Sequence, residues 1–135
     1  MSAPILRLNP NSLPDAGKVG YSQISVAEAG RLAFVSGQVA WRADGGDVPA
    51  SLVEQTEIVI ENLRHALTEI GSTPEDIVHM RIYVTDLTPQ SQEAVMPLIL
   101  DFLAGALPSL TGIGVAALAA PDLKIEVEMV VQASA

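Results

Sequence analysis

The chain has 135 residues, 49% of them hydrophobic but only 4% aromatic, with no cysteine and a formal charge of −9. That length gives a single domain over 1–135 with a core of Val, Ile, Leu, Ala and Met; the missing cysteines exclude disulfides, thiolate nucleophiles and thiolate metal sites, and suit a reducing compartment. The 16 acids outnumber seven bases that are scattered singly, which argues against nucleic acid or an anionic membrane as partner.

In chain order, residues 1–10 show no charged leader followed by an apolar run, and no apolar stretch reaches the ~18–20 residues needed to span a bilayer. The expected location is cytoplasmic. Residues 22–36 read as a β-hairpin that turns at Glu28-Ala29-Gly30, where glycine can take positive φ. The second strand is expected to continue through Gln38 to Arg42 and to stop at the turn Asp44-Gly45-Gly46-Asp47.

From about Pro49 to Ile70 the period becomes helical. Leu52, Thr56, Val59, Ile60, Leu63, Leu67 and Ile70 form one stripe opposite Glu54, Glu57, Glu61 and Arg64, and Gly71 ends the helix. Ser72 to Asp76 makes a short helical turn with Pro74 at its first position. A strand follows in which Val78, Met80, Ile82 and Val84 alternate with His79, Arg81, Tyr83 and Thr85. Thr88-Pro89 starts a second helix to about Ala104 that buries Val95, Leu98, Ile99, Phe102 and Leu103, with Pro97 kinking or delaying it. Strands are expected from Pro108 to about Leu118 and from Leu123 to Val131. Both helices then cover one face of the sheet. The other face displays His79, Arg81, Tyr83, Lys124, Glu126 and Glu128, and is washed by solvent or closed by a partner subunit.

Glu126 and Glu128, two apart on a strand, share a face and are a candidate acid–base pair, because proximity raises one carboxyl pKa. On spacing alone a polar strand face, with Lys124 and Arg81 as counter-charges, is the better reading. His65 and His79 lack ligand spacing with any acid, so no metal is expected. No Gly-x-Ser-x-Gly elbow exists. Gly112-Ile-Gly114-Val-Ala-Ala117 matches a dinucleotide fingerprint as a string. The tail after it is too short for the required strand–turn–helix unit, so Gly112 and Gly114 read as strand positions where a backbone or ligand comes close. No cofactor is expected. The only tryptophan, Trp41, has two open readings: lining a cleft, or packing beside the turn.

Taken in order, several segments resemble the RidA family, also called YjgF or L-PSP. They are 20–23, 34–38, Gln55-Thr56, 61–63, 75–78, 84–87, Val115-Ala116 and 124–128. The resemblance implies an α+β, chorismate-mutase-like fold with two helices packed on one face of a mixed sheet. It also implies a homotrimer with small-molecule clefts between subunits, and hydrolysis of enamines or imines to a carbonyl compound and ammonia. The family's tyrosine falls on Tyr21, its loop Ser-Gly on Ser36 and Gly37, and its water-handling glutamate on Glu126. Its Pro-x-Arg-Ser/Thr motif falls on 108–111, where Leu110 replaces the substrate-gripping arginine and Thr111 follows. Gly112 stands where cysteine is common, and an asparagine frequent in the family is missing near Glu93-Ala94. The ligand set implied is therefore Tyr21, Ser36, Gly37, Leu110, Thr111 and Gly112, with Glu126 catalytic. Leucine cannot bind a carboxylate, and losing such a contact costs roughly 2–5 kcal/mol. The expected substrate is thus an imine other than 2-iminopropionate; the alternative is a non-catalytic small-molecule-binding or regulatory trimer.

Overall fold

The computed structural model describes residues 4–133. Its main sheet holds four strands in the order β3 (Leu32–Gln38), β6 (Ile125–Gln132), β4 (Ile77–Val84) and β5 (Ser109–Gly114). A separate two-stranded ribbon pairs β1 (Leu6–Leu8) with β2 (Ile24–Val26). Two α-helices, α1 (Leu52–Ile70) and α2 (Pro89–Leu103), complete the domain.

β3 and β4 both run antiparallel to β6, and β5 runs parallel to β4. The units β3–α1–β4 and β4–α2–β5 are therefore parallel crossovers stepping in the same direction across the sheet. Such crossovers are almost always right-handed, which places both helices on one face. The buried cluster joins Val59, Leu63 and Leu67 of α1 and Val95, Ile99 and Phe102 of α2 to Met80, Ile82, Ile125, Val127 and Met129 of the sheet. The mixed sheet with two helices on one face is as expected.

The helix boundaries follow from local chemistry. Ser51 caps α1 by accepting from the Glu54 backbone N–H at 3.2 Å, and Gly71 ends the helix at φ 76°. Thr88 and Ser91 form a reciprocal capping box on α2, which runs through Pro97 to Leu103. Gln55 and Ile58 are buried outside the predicted α1 stripe. A second small cluster explains this: Val39, Ala40 and Leu123 pack with Ile58 on another flank of α1. Gln55 acts as a buried staple. Its amide donates to the carbonyls of Pro49 and Asp122, each at 2.8 Å, and its oxygen accepts from the Lys124 N–H at 2.9 Å.

Five expectations need correction. The strand expected from Pro108 to about Leu118 ends at Gly114. Residues 22–36 do not form a hairpin: β2 pairs with β1 and β3 pairs with β6. Gly30 is absent from the positive-φ glycines, so the chain passes from one sheet to the other without the tight turn a hairpin needs. The strand at Leu32 stops at Gln38, where Val39 and Ala40 turn inward to cover α1; Gly45 and Gly46 do turn, at φ 84° and 99°. In β4 an irregularity between Ile77 and His79 puts Ile77, not Val78, into the core. Leu98 is only partly buried, packing at the edge of the cluster.

Candidate functional site

The pleat of β5 and β6 divides the expected site residues between two faces. Leu110 stands opposite Met80, and Gly112 opposite Ile82, both of them core residues; Thr111 stands opposite Arg81. Leu110 and Gly112 therefore face the helices, and Thr111 faces the other way. Glu126 stands opposite Tyr83 and Glu128 opposite Arg81, so both carboxylates lie on the face away from the helices.

On the helix side, Tyr21, Leu110 and Gly112 line one cavity of about 650 Å³ with Ile82, Val84, Val95, Met96 and Leu100. Ser91, Gln92 and Glu93, in the first turn and a half of α2, are its polar members. Gly20 sets the approach of Tyr21. It adopts φ 98°, and a β-carbon there would lie 3.2 Å from Leu100 Cδ1, so only glycine lets the chain pass this closely. A β-carbon at Gly112 would meet nothing within 4 Å, whereas one at Gly114 would sit 3.2 Å from Leu87 Cβ. Close backbone approach is thus the role of Gly114, and Gly112 opens onto the cavity.

Where β3 and the loop after it meet α1, Gly37 and Glu126 line a second cavity of about 710 Å³ with Gln38, Val39, Trp41, Arg42, Asn62, His65 and Ala119. Glu126 lies directly over Gly37. A β-carbon at 37 would fall 2.5 Å from Glu126 Cδ and 2.8 Å from its Cγ, so the missing side chain is the seat of the carboxylate. The irregular register between Val35 and Gln38 brings Gly37 to this position. Ser36 is exposed beside the cavity rather than lining it, and its carbonyl accepts from the Gln38 amide at 3.0 Å.

The two glutamates separate in role. Glu128 accepts from the Tyr83 hydroxyl and pairs with Arg81 at 3.5 Å. That hydrogen bond is the main cause holding the Tyr83 phenol above its ordinary pKa of 10.0. Among the described residues no hydrogen bond or ion pair reaches the Glu126 carboxylate. Glu128 belongs to a polar strand face, whereas Glu126 is available to a ligand. His79 lies on the same face; burial and then the Arg81 guanidinium hold its imidazole below the ordinary 6.5.

Several cavity residues escaped the reading from sequence. Asn62 and His65 sit one turn apart on α1, and only the fold shows that this turn borders the loop after β3. Asn62 fixes that loop, its amide donating to the carbonyls of Trp41 at 2.9 Å and Val39 at 3.3 Å. Trp41 lines the cavity and remains 52% exposed, which favours the lining reading over packing beside the turn. Met96 and Leu100 of α2, which the sequence reading did not single out, each present a side to the first cavity.

Comparison with known proteins agrees with this architecture. The sequence profile of the family described as Endoribonuclease L-PSP matches residues 13–133. The mitochondrial protein mmf2 of Schizosaccharomyces pombe is 34% identical over 105 residues, 76% of this chain and 81% of that protein. TdcF of Escherichia coli, whose name designates it provisionally as a reactive intermediate deaminase, is 28% identical over 80% of this chain and 84% of its own. The crystal structure of YyfB from Yersinia pestis, described as a Rid-family protein of unknown function, superposes with a TM-score of 0.89 at 36% identity, covering 96% of this chain and 99% of that one. With a profile match over nearly its whole length and a fold shared at that closeness, the chain belongs to the L-PSP family, the group also called YjgF, RutC or Rid.

Proposed function

We propose that the chain hydrolyses an imine or enamine to a carbonyl compound and ammonia, in clefts formed between the subunits of a homotrimer. The observation that carries this reading is the division of the site. Glu126 stands unpartnered over Gly37 on one face, while Tyr21, Leu110 and Gly112 line a cavity on the other. One chain holds two halves, and a neighbouring copy is needed to bring them together. The sheet face that would meet it carries Leu32 and Phe34, which are 46% and 75% exposed. Large apolar groups at such exposure favour burial against a partner.

In this scheme Glu126 accepts a proton from water as the water oxygen adds to the imine carbon. The proton passes to the nitrogen, and the carbinolamine collapses to the carbonyl compound as ammonia leaves. Leu110 makes the receiving cavity apolar, so the reading predicts a substrate other than 2-iminopropionate. A cytoplasmic setting is part of the proposal and rests on the cysteine-free composition, although the name of mmf2 places that relative in mitochondria.

The alternative, a small-molecule-binding trimer without turnover, is favoured by the same Leu110. Ribonuclease activity, named in the family's description, is opposed by the −9 charge and the scattered bases. The test is hydrolysis of a panel of imines, 2-iminopropionate among them, by the parent, Glu126→Gln and Leu110→Arg. Turnover of a bulkier or neutral imine that Glu126→Gln abolishes supports the hydrolase. A compound that raises the melting temperature and is recovered unchanged, with no imine consumed, establishes the binding protein instead.

A further inference from the structure

We infer that Trp41 and Arg42 form a recognition subsite beside Glu126 for an aromatic carboxylate, so that the cation missing at position 110 is supplied from the other half of the site. The inference rests on the cavity described above and extends the proposed function by naming a ligand class.

Three kinds of group line this one cavity: the Glu126 carboxylate, the Arg42 side chain and the Trp41 indole. The Trp41 indole is left 52% exposed, a broad π-face on which a flat group can stack. Trp41 is not on a loose loop. Its backbone N–H donates to the Val39 carbonyl at 2.7 Å, and its own backbone carbonyl accepts from Asn62 at 2.9 Å. The indole is therefore mounted on a backbone pinned to α1, the kind of rigid platform that costs little entropy when a ring stacks on it.

Arg42 follows immediately. It also borders a groove with Asp47, Glu54, Glu57 and Glu61, yet among the described residues no ion pair or hydrogen bond reaches its guanidinium. A planar guanidinium with open donors matches a carboxylate through two parallel hydrogen bonds, and it stacks where an ammonium would not. A ligand that answers all three groups has a flat apolar part for Trp41, a carboxylate for Arg42 and a polar carbon–nitrogen or carbonyl centre toward Glu126. An aromatic 2-imino acid and its keto-acid product both meet that description.

Trp41 is the chain's only tryptophan, so its emission reports on this cavity alone. Indole fluorescence of the intact protein is titrated with 3-phenylpropionate and with its neutral isostere 3-phenylpropionamide, at low and high salt. The carboxylate is expected to quench or shift the emission with an affinity about tenfold or more above the amide's, a gap worth about 1.4 kcal/mol. Added salt should narrow the gap, because the pair is partly exposed. Arg42→Gln should remove the preference for the carboxylate without lowering the melting temperature, and Arg42→Lys should keep part of it. No spectral response, equal affinity for acid and amide, or an unchanged preference in Arg42→Gln each overturns the subsite. Saturable carboxylate binding with no imine hydrolysis leaves the subsite standing and removes the hydrolase reading; hydrolysis without that binding does the reverse.

Discussion

Gly37→Ala isolates the seat of Glu126. The backbone at 37 lies outside the positive-φ region, so alanine is conformationally permitted there and strain does not confuse the result. The added methyl would sit 2.5 Å from Glu126 Cδ, and ordinary contact begins at 3.4 Å, so the carboxyl carbon must retreat by about 0.9 Å. The obstacle is the far part of a flexible side chain, and the melting temperature should barely change. Catalysis should suffer far more. A misplacement of about 1 Å in a catalytic group costs on the order of 10²-fold, or about 2.7 kcal/mol of transition-state stabilisation. The assay is steady-state imine hydrolysis by the parent, Gly37→Ala, Glu126→Gln and the double variant. Because both changes act on one carboxylate, the double variant should be no slower than Glu126→Gln alone. A Gly37→Ala enzyme that turns over at the parent's rate, or a double variant whose losses add, refutes the claim that Gly37 exists to seat Glu126.

Gln55→Leu removes the partner of two part-buried carbonyls and one N–H, so it should cost about 2 kcal/mol and lower the melting temperature by roughly 7 °C; an unchanged melt would show that the staple contributes nothing. The depressed His79 pKa means the unfolded chain takes up this proton at higher pH than the folded one, so its stability contribution is full above 6.5 and is lost as pH falls below that value. His79→Gln should flatten that part of the stability–pH curve measured by denaturant titration, and a retained slope would assign it to another group. Phe34→Asp places a charge on the exposed apolar face and should turn the proposed trimer into monomers in sedimentation velocity; persistence of the assembly would move the interface elsewhere.

Much of the domain was legible from local chemistry. Gly71 ends α1, the Thr88-Pro89 start bounds α2, and the alternation through Met80, Ile82 and Val84 marks β4. These signals lie within a few residues of what they specify. The hairpin at 22–36 failed because strand patterning says that a segment is extended but not which neighbour it pairs with. The choice of β6 for β3 and of β1 for β2 was made by contacts about a hundred and about eighteen residues apart in the chain. Val78 failed for a smaller reason: one irregular residue in β4 reverses the pleat, and strict alternation cannot anticipate it.

The candidate site divides in the same way. The sequence by itself determined that Leu110 carries no charge, that Gly37 carries no side chain and that Glu126 shares a face with Glu128. It assigned the family through ordered motifs, and within those motifs Gln55 and Asn62 hold neighbouring backbone through side-chain hydrogen bonds. Only the tertiary structure decided that Glu126 rests over Gly37, that Glu128 is taken by Tyr83 and Arg81, and that Leu110 and Glu126 point to opposite faces. The physical reason is that a side chain's direction is set by strand register, and register is fixed by pairing between distant segments rather than by the residues themselves.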